Sequence, residues 1–260
     1  MRAAGDDIFD ALVGWRVWAM LAVNDIKRLY RRSGVGQFWL TISMAVNIVA
    51  MGFLWGVIFK TDMRNTLPFI GVGLIVWGLL AGIVQETATA FIRSEGYLKQ
   101  IRVSKTSIIS QVILRNFIVF AHNIILVPFI LLVYRPAQLE GFFLVPIGLI
   151  FCAVNAIWVG LLLGTLCTRF RDLPQIIQSV MQIMFFMTPI LWNPTQVGSA
   201  AKYLVNFNPF ASFLSILREP LLGSVPEIQN YWIAAGITVV GFAITLPFFA
   251  RFRSRIVYWL

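Results

Sequence analysis

Long, unbroken apolar runs dominate this chain, and they set its fold class. Crossing the hydrocarbon core of a bilayer takes roughly 20 mostly apolar residues. Six stretches approach or exceed that length: Phe38–Phe59, then 67–91, 108–134, 142–167, 176–191 and 231–250. The first is uncharged. The second is interrupted near its end by Gln85 and Glu86, and the third carries Gln111, Arg115, Asn116, His122 and Asn123. The fourth is clean apart from Asn155. The fifth is short and studded with Gln178, Ser179 and Gln182. Continuous runs exclude a β-barrel, whose strands are short and alternate in polarity. The pattern predicts an all-α integral membrane protein of six transmembrane helices.

Two segments depart from plain crossing helices. Residues 8–30 are punctuated by Asp10, Arg16, Asn24, Asp25, Lys27 and Arg28. At helical spacing Trp15, Trp18, Ala22, Ile26 and Leu29 fall on one side, and Asn24, Lys27, Arg28 and Arg31 on the other. Such a helix lies in the membrane interface with its bases toward headgroups. It serves either as a topology anchor or as a site where the 27–32 cluster meets an anionic headgroup. Residues 192–230 hold apolar pieces too short to cross, 200–207 and 210–222, separated by Pro194, Pro209, Pro220 and Pro226. Short apolar helices of this kind predict re-entrant or interfacial gate segments between the fifth and sixth spans. An ordinary folded external loop is the alternative.

Composition agrees: 59% of the 260 residues are hydrophobic and 12% charged, against about 25% charged in soluble domains. Mean hydropathy is +0.81. The net charge of +10 would suggest a nucleic-acid partner in a soluble protein. Here its placement gives another meaning. Fifteen of the 21 Lys and Arg fall in the N-terminal segment, 93–107, 168–175 and the C-terminal tail; five fall in the alternate segments, and Arg115 lies inside a span. Basic residues mark cytoplasmic loops, so both termini are expected in the cytoplasm and nucleic acid is not an expected partner.

Chemistry is sparse. One His excludes a His-rich metal site. No GxxxxGK[ST], GxSxG, HExxH or CxxC occurs, and Cys152 and Cys167 have no motif partner. No signal peptide is expected at the N-terminus, where Asp6, Asp7 and Asp10 interrupt the apolar residues. Intramembrane polar residues are the functional candidates by default: Glu86, Arg115 and His122. A Glu86–Arg115 pair would join spans two and three, and His122 suits an interhelical hydrogen bond. Aromatics make up 14% of the chain, many at span ends as expected of interfacial belts; the rest are available to line a conduit. Residues 93–107 predict a short cytoplasmic helix whose Tyr97, Leu98, Ile101 and Val103 suit docking to a soluble partner. In Thr168-Arg169-Phe170-Arg171-Asp172-Leu173-Pro174, Asp172 is placed to cap the next helix.

Together these features resemble the permease subunits of ABC-2 type polysaccharide exporters for O-antigen, capsule and teichoic acid, with the O-antigen branch closest. The resemblance covers essentially the whole chain. Arg31-Arg32-Ser33-Gly34-Val35-Gly36-Gln37-Phe38-Trp39 is similar to the family's turn between interface helix and first span, with Val35-Gly36 where Leu-Gly is common. Residues 91–102 resemble its coupling helix. Arg169-Phe170-Arg171-Asp172 resembles its R-[FY]-R-D string, the most specific match. Residues 206–209 and their flanks resemble its external gate helices.

The resemblance implies a single ABC-2 transmembrane domain: interface helix and turn in 1–37, membrane helices in 38–250, and a cytoplasmic tail in 251–260. It implies a multi-pass homodimer in the bacterial inner membrane, bound to two copies of a separate ABC ATPase. ATP and Mg would belong to that subunit, with no cofactor here. The cargo would be a polyprenyl-diphosphate-linked glycan. Its diphosphate would meet Lys27, Arg28, Arg31 and Arg32, with Gly34 and Gly36 allowing the backbone to bend. Glu95, Gly96, Tyr97, Leu98 and Lys99 would couple the ATPase, Arg169, Phe170, Arg171 and Asp172 would form the cytoplasmic loop motif, and Asn208 and Pro209 would belong to the external gate. Two other functions compete: export of a small lipophilic molecule, and an integral membrane enzyme acting on isoprenoid-linked substrates.

Overall fold

The computed structural model describes residues 2–31, 34–36, 38–60, 62–101, 103–133, 140–193, 205 and 207–260. Among them the secondary structure is helical, with no strand. The chain begins with α1 (Arg2–Val13) and α2 (Trp15–Tyr30). The expected interface helix is therefore broken at Gly14, which accepts from Val17 N and donates to Asp10 O. Trp18 Nε1 bridges the break to Ala11 O at 2.8 Å.

Among the described residues, five helical stretches are long and apolar enough to cross a membrane. They are α3 (Phe38–Phe59), α4 (Met63–Ala88), α7 (Lys105–Ile124) continued by α8 (Leu126–Val133), α9 (Val145–Arg169) and α12 (Ile228–Phe252). Between α4 and α7 lie two short pieces, α5 (Ala90–Arg93) and α6 (Glu95–Gln100). The sixth expected crossing is α10 (Leu173–Met187), at 15 residues. At 1.5 Å per residue it is about 22 Å long, short of the roughly 30 Å hydrocarbon core. Its ends nevertheless lie at opposite ends of the bundle. Arg171, just before it, reaches the carbonyl of Leu260, whereas Pro189, just after it, accepts from Arg218. The segment after it holds α11 (Pro209–Leu221), and the chain closes with α13 (Ile256–Trp259).

Local chemistry explains several of these boundaries. Asp62 Oδ1 accepts from Arg64 N and starts α4, and Ser104 Oγ accepts from Ser107 N and starts α7. Asn208 Oδ1 accepts from Phe210 N at 3.0 Å, with Pro209 as the first residue of α11. Asp172 departs from expectation. It occupies the N-cap position of α10, but its carboxylate makes no capping bond, because its backbone is already helical. Pro174 alone supplies the start signal.

α4 is the core. It is buried along most of its length and packs on α3, α7, α9, α10 and α11. That is how a helix apolar on every side behaves. The outer crossings leave broad apolar faces uncovered, including Val46, Val49, Phe53 and Val57 of α3. Close approach is secured by small residues. A Cβ on Gly160 of α9 would sit 2.5 Å from Ile109 Cγ2 and 3.2 Å from Thr87 Cγ2. Trp77 of α4 joins two further elements, its ring 5.9 Å from Phe185 of α10 and 5.6 Å from Phe210 of α11.

Candidate functional site at the end of the bundle that carries both termini

α2 lies along α7. Trp18 is half-buried in the seam and Ala22 and Ile26 are buried, whereas Trp15, expected on the same side, is exposed. Gln111 Nε2 of α7 donates to Asp25 Oδ2 at 2.7 Å, so a polar bond reinforces the apolar stripe. Lys27, Arg28 and Arg31 stand exposed on the outer side of the helix. Gly36 adopts φ of +62°, a left-handed turn suited to glycine before α3. Gly34 is described with open space around it, and Arg32 lies outside the described residues.

Arg28 shares a cavity of about 460 Å3 with Tyr97, Ser94 and Ser107. The structure thus brings a member of the basic cluster and a member of the expected docking segment to one place. Asp10 and Asp25 line the same cavity, so its charge is mixed rather than purely basic.

Tyr97 of α6 and Ile101 just past it are exposed, but Leu98 is buried in the protein's own core. Leu98 is therefore not free to dock, contrary to expectation; it holds α6 in place. Glu95 and Lys99 form an i, i+4 ion pair at 2.6 Å. That hydrogen bond and the charge of Lys99, with Arg171 adding to them, hold the Glu95 carboxyl below its usual range. Gly96 meets no neighbour.

The Arg169–Asp172 turn sits against the C-terminal helix. The Arg169 guanidinium lies 5.7 Å from the Trp259 ring centre. Arg171 Nη2 donates to the carbonyls of Leu260 at 3.1 Å and Trp259 at 3.4 Å. Phe170 is exposed. The basic residues of this string thus tie the α9–α10 turn to the tail.

One group at this end was not singled out by the sequence. Asp7 of α1 is only 2% exposed. Its Oδ2 accepts from Thr106 N at 2.9 Å, Thr106 Oγ1 at 2.8 Å and Ser104 Oγ at 3.0 Å, and its Oδ1 accepts from Lys105 N at 3.3 Å. Arg253 Nε, just past α12, completes the shell at 3.5 Å. A carboxylate from one end of the chain thus caps α7, immediately after α6, and pairs with the other end. The sequence clue was a polar Ser-Lys-Thr-Ser run at the start of α7, which offers several donors to an acceptor.

Deeper in the bundle, Arg115 Nη2 and Asn116 Nδ2 both donate to Glu86 Oε2 at 2.6 Å, so the expected Glu86–Arg115 pair is formed and extended by an amide. His122 is different. Its Nδ1 faces the carbonyl of Ile118 in its own helix at 2.8 Å, while Thr41 Oγ1 of α3 donates to the backbone carbonyl of His122. This bond between α3 and α7 therefore runs through the main chain of His122. At the opposite end, Asn208 Nδ2 donates to Thr188 Oγ1 at 2.8 Å, and Pro209 begins a helix buried along most of its length.

An amphipathic helix pair folded against a bundle of long apolar helices, with a short exposed segment between two of them, defines a helical integral membrane protein. The chain belongs to the ABC-2 type transporter family, whose description matches residues 16–222. It is similar to an O-antigen export system permease protein RfbA of Klebsiella pneumoniae, 24% identical over 248 residues, covering 95% of this chain and 92% of that protein. A second RfbA of the same organism is 22% identical, covering 91% of each chain. An RfbA of Myxococcus xanthus is 22% identical, covering 85% of this chain and 86% of its own length.

Proposed function

We propose that this chain is the membrane subunit of an ATP-driven exporter that carries a polyprenyl-diphosphate-linked polysaccharide of the O-antigen kind across the bacterial inner membrane. The observation that carries the reading is the match, along nearly the whole length of both chains, to proteins named O-antigen export permeases. The geometry supports it. ATP and Mg would be held by a separate ABC ATPase, for which the exposed Tyr97, Ile101 and Phe170 offer a docking face. Lys27, Arg28 and Arg31 form an exposed basic row beside that face, suited to a diphosphate.

The six-crossing topology also belongs to this reading. Asp7 and Arg253 meet at 3.5 Å, so both ends of the chain share one end of the bundle. Five crossings alone would separate them; α10 restores the even number. Gln175, Gln178, Ser179 and Gln182 recur along one side of α10, all exposed. Amides facing lipid are costly, so this side supports a conduit between two copies of the chain. Asn208 and Pro209 would close its external end.

The test is export. Deleting the gene should leave lipid-linked glycan on the cytoplasmic face, and Arg28→Ala with Arg31→Ala should reduce export while the protein still inserts. Normal surface glycan in the deletion strain would refute the cargo, and full export by the double variant would remove the headgroup role.

A further inference from the structure

At the end of the bundle opposite the termini, α11 and the start of α12 enclose a second polar cavity of about 430 Å3. This lies within the roughly 300–1,000 Å3 usual for small-molecule sites. Arg218 lines it and is 6% exposed. The guanidinium lies 4.0 Å from the centre of the Phe69 ring, and Nη1 donates to the Pro189 carbonyl at 2.5 Å. Its Nε is buried without a partner among the described residues, and no carboxylate comes within ion-pair distance of it among them. Burial pulls the group down to about 10, so it remains a cation at neutral pH. A buried, under-satisfied guanidinium is costly unless an acceptor reaches it.

The rest of the lining offers acceptors and amides. Asn230 Nδ2 donates to Ser215 Oγ at 3.2 Å, and Ser215 Oγ donates in turn to Glu219 Oε1. Glu227 lines the cavity as well. Each simple ligand class meets an obstacle here. An anion faces Glu219 and Glu227. A metal cation faces Arg218. An apolar molecule would strand all of these groups. A neutral, hydroxyl-rich ligand satisfies both sets at once, accepting from the guanidinium and donating to the carboxylates.

We propose that this cavity is a sugar subsite, which holds one or two residues of the glycan at the far end of the transport path. The proposal rests on the reading of this chain as a polysaccharide exporter and adds a place where the cargo is held.

The test uses the full-length protein in lipid nanodiscs, with Asn230→Cys and, separately, Ser224→Cys as reporters in the cavity lining. The native Cys152 and Cys167 are buried. The rate of labelling by a water-soluble methanethiosulfonate is measured with glucose, galactose, mannose or N-acetylglucosamine, and with sodium phosphate or acetate as controls. At a sugar concentration of twice Kd, labelling should slow about threefold. Arg218→Gln should abolish the protection. Glu227→Gln, at an exposed position, should weaken it even if the Arg218 variant fails to fold. Protection by phosphate or acetate alone, or by none of the probes, overturns the subsite. Glycan export is scored separately in the strain. Export without protection sinks the subsite and leaves the exporter; protection without export keeps a sugar site and sinks the cargo.

Discussion

Replacing Asp7 by Ala tests whether the two ends of the chain and the start of α7 are held by one carboxylate. The substitution deletes the acceptor of two backbone N–H groups at that helix start, of two hydroxyls, and of Arg253. Loss of a helix cap costs about 0.5–2 kcal/mol. Stranding one partner of a buried pair costs about 3–5 kcal/mol. The Arg253 side chain is 28% exposed and regains some water, so the lower part of that range applies. About 3–4 kcal/mol is therefore expected for Asp7→Ala, and about 1–2 kcal/mol for Asp7→Asn, which keeps an acceptor but loses the charge. The exposed neighbour supplies the control: Asp6→Ala should stay within about 0.5 kcal/mol. Unfolding of the purified protein in detergent, followed by tryptophan fluorescence, gives the stabilities. A cycle with Arg253→Gln should return a coupling of about 1 kcal/mol. Limited proteolysis should show α1 released in Asp7→Ala. If Asp7→Ala unfolds with Asp6→Ala and its N-terminus stays protected, the shared-cap account is wrong.

Glu86→Gln, which keeps an acceptor at a partly exposed position, should destabilise the bundle by about 1–2 kcal/mol and Arg115→Met by about 2–3 kcal/mol, with the double change costing less than the two single changes together, as unfolding in detergent would show. Tyr97→Ala should leave stability unchanged and lower ATPase stimulation when the motor subunit is co-purified. Leu98→Ala should instead cost about 2–5 kcal/mol, because that side chain is buried. Burial raises the Glu219 carboxyl above the usual range, ahead of the opposing pull of Ser215 and Arg218. Its folded pKa thus exceeds its unfolded one, so its contribution to stability is full below the unfolded value and fades as pH rises through the folded value. Glu219→Gln should accordingly flatten the decline in stability above the carboxylate range, measured as unfolding midpoints against pH.

The crossing helices were legible because lipid demands long apolar runs, and little competes with that signal. The Glu86–Arg115 pair was legible for the same reason: few charges lie inside the spans, so a partner was easy to name. Asp7 was not. Its hydrogen-bond partners at the start of α7 lie 97 to 99 positions away and Arg253 lies near the other end of the chain, so a carboxylate among exposed neighbours gives no local sign of burial. Leu98 was misread because α6 has six residues, too few for periodicity to define a face. Asp172 had the right residue type for a cap but the wrong backbone. Arg218 was hidden in a stretch broken by prolines, where sequence pattern does not show which short helix turns inward. At α2 the pattern placed the buried seam at Ala22 and Ile26 correctly and erred at Trp15, because Gly14 ends the preceding helix just before it.

The arrangement of α10 connects the two ends of the protein. It is shorter than the five helices long enough to cross a membrane and less buried than any of them, with Met181 its only fully buried residue. Its firm attachments are at its ends. Arg171 holds one end to the C-terminal carbonyls, near Glu95 of α6. Asn208 and Arg218 hold Thr188 and Pro189 at the other end, at the rim of the polar cavity. Along the middle, contact is mainly apolar, through Met181 and the Phe185–Trp77 pair on α4. Apolar contacts are non-directional and tolerate small sliding better than hydrogen bonds do. α4, by contrast, is buried along most of its length and cannot shift without repacking the core. A movement imposed at the end that carries the termini would therefore be transmitted more readily along α10 than through the centre of the bundle. Under the proposed export function, that is the behaviour needed of a helix whose exposed amide side would line the glycan's path.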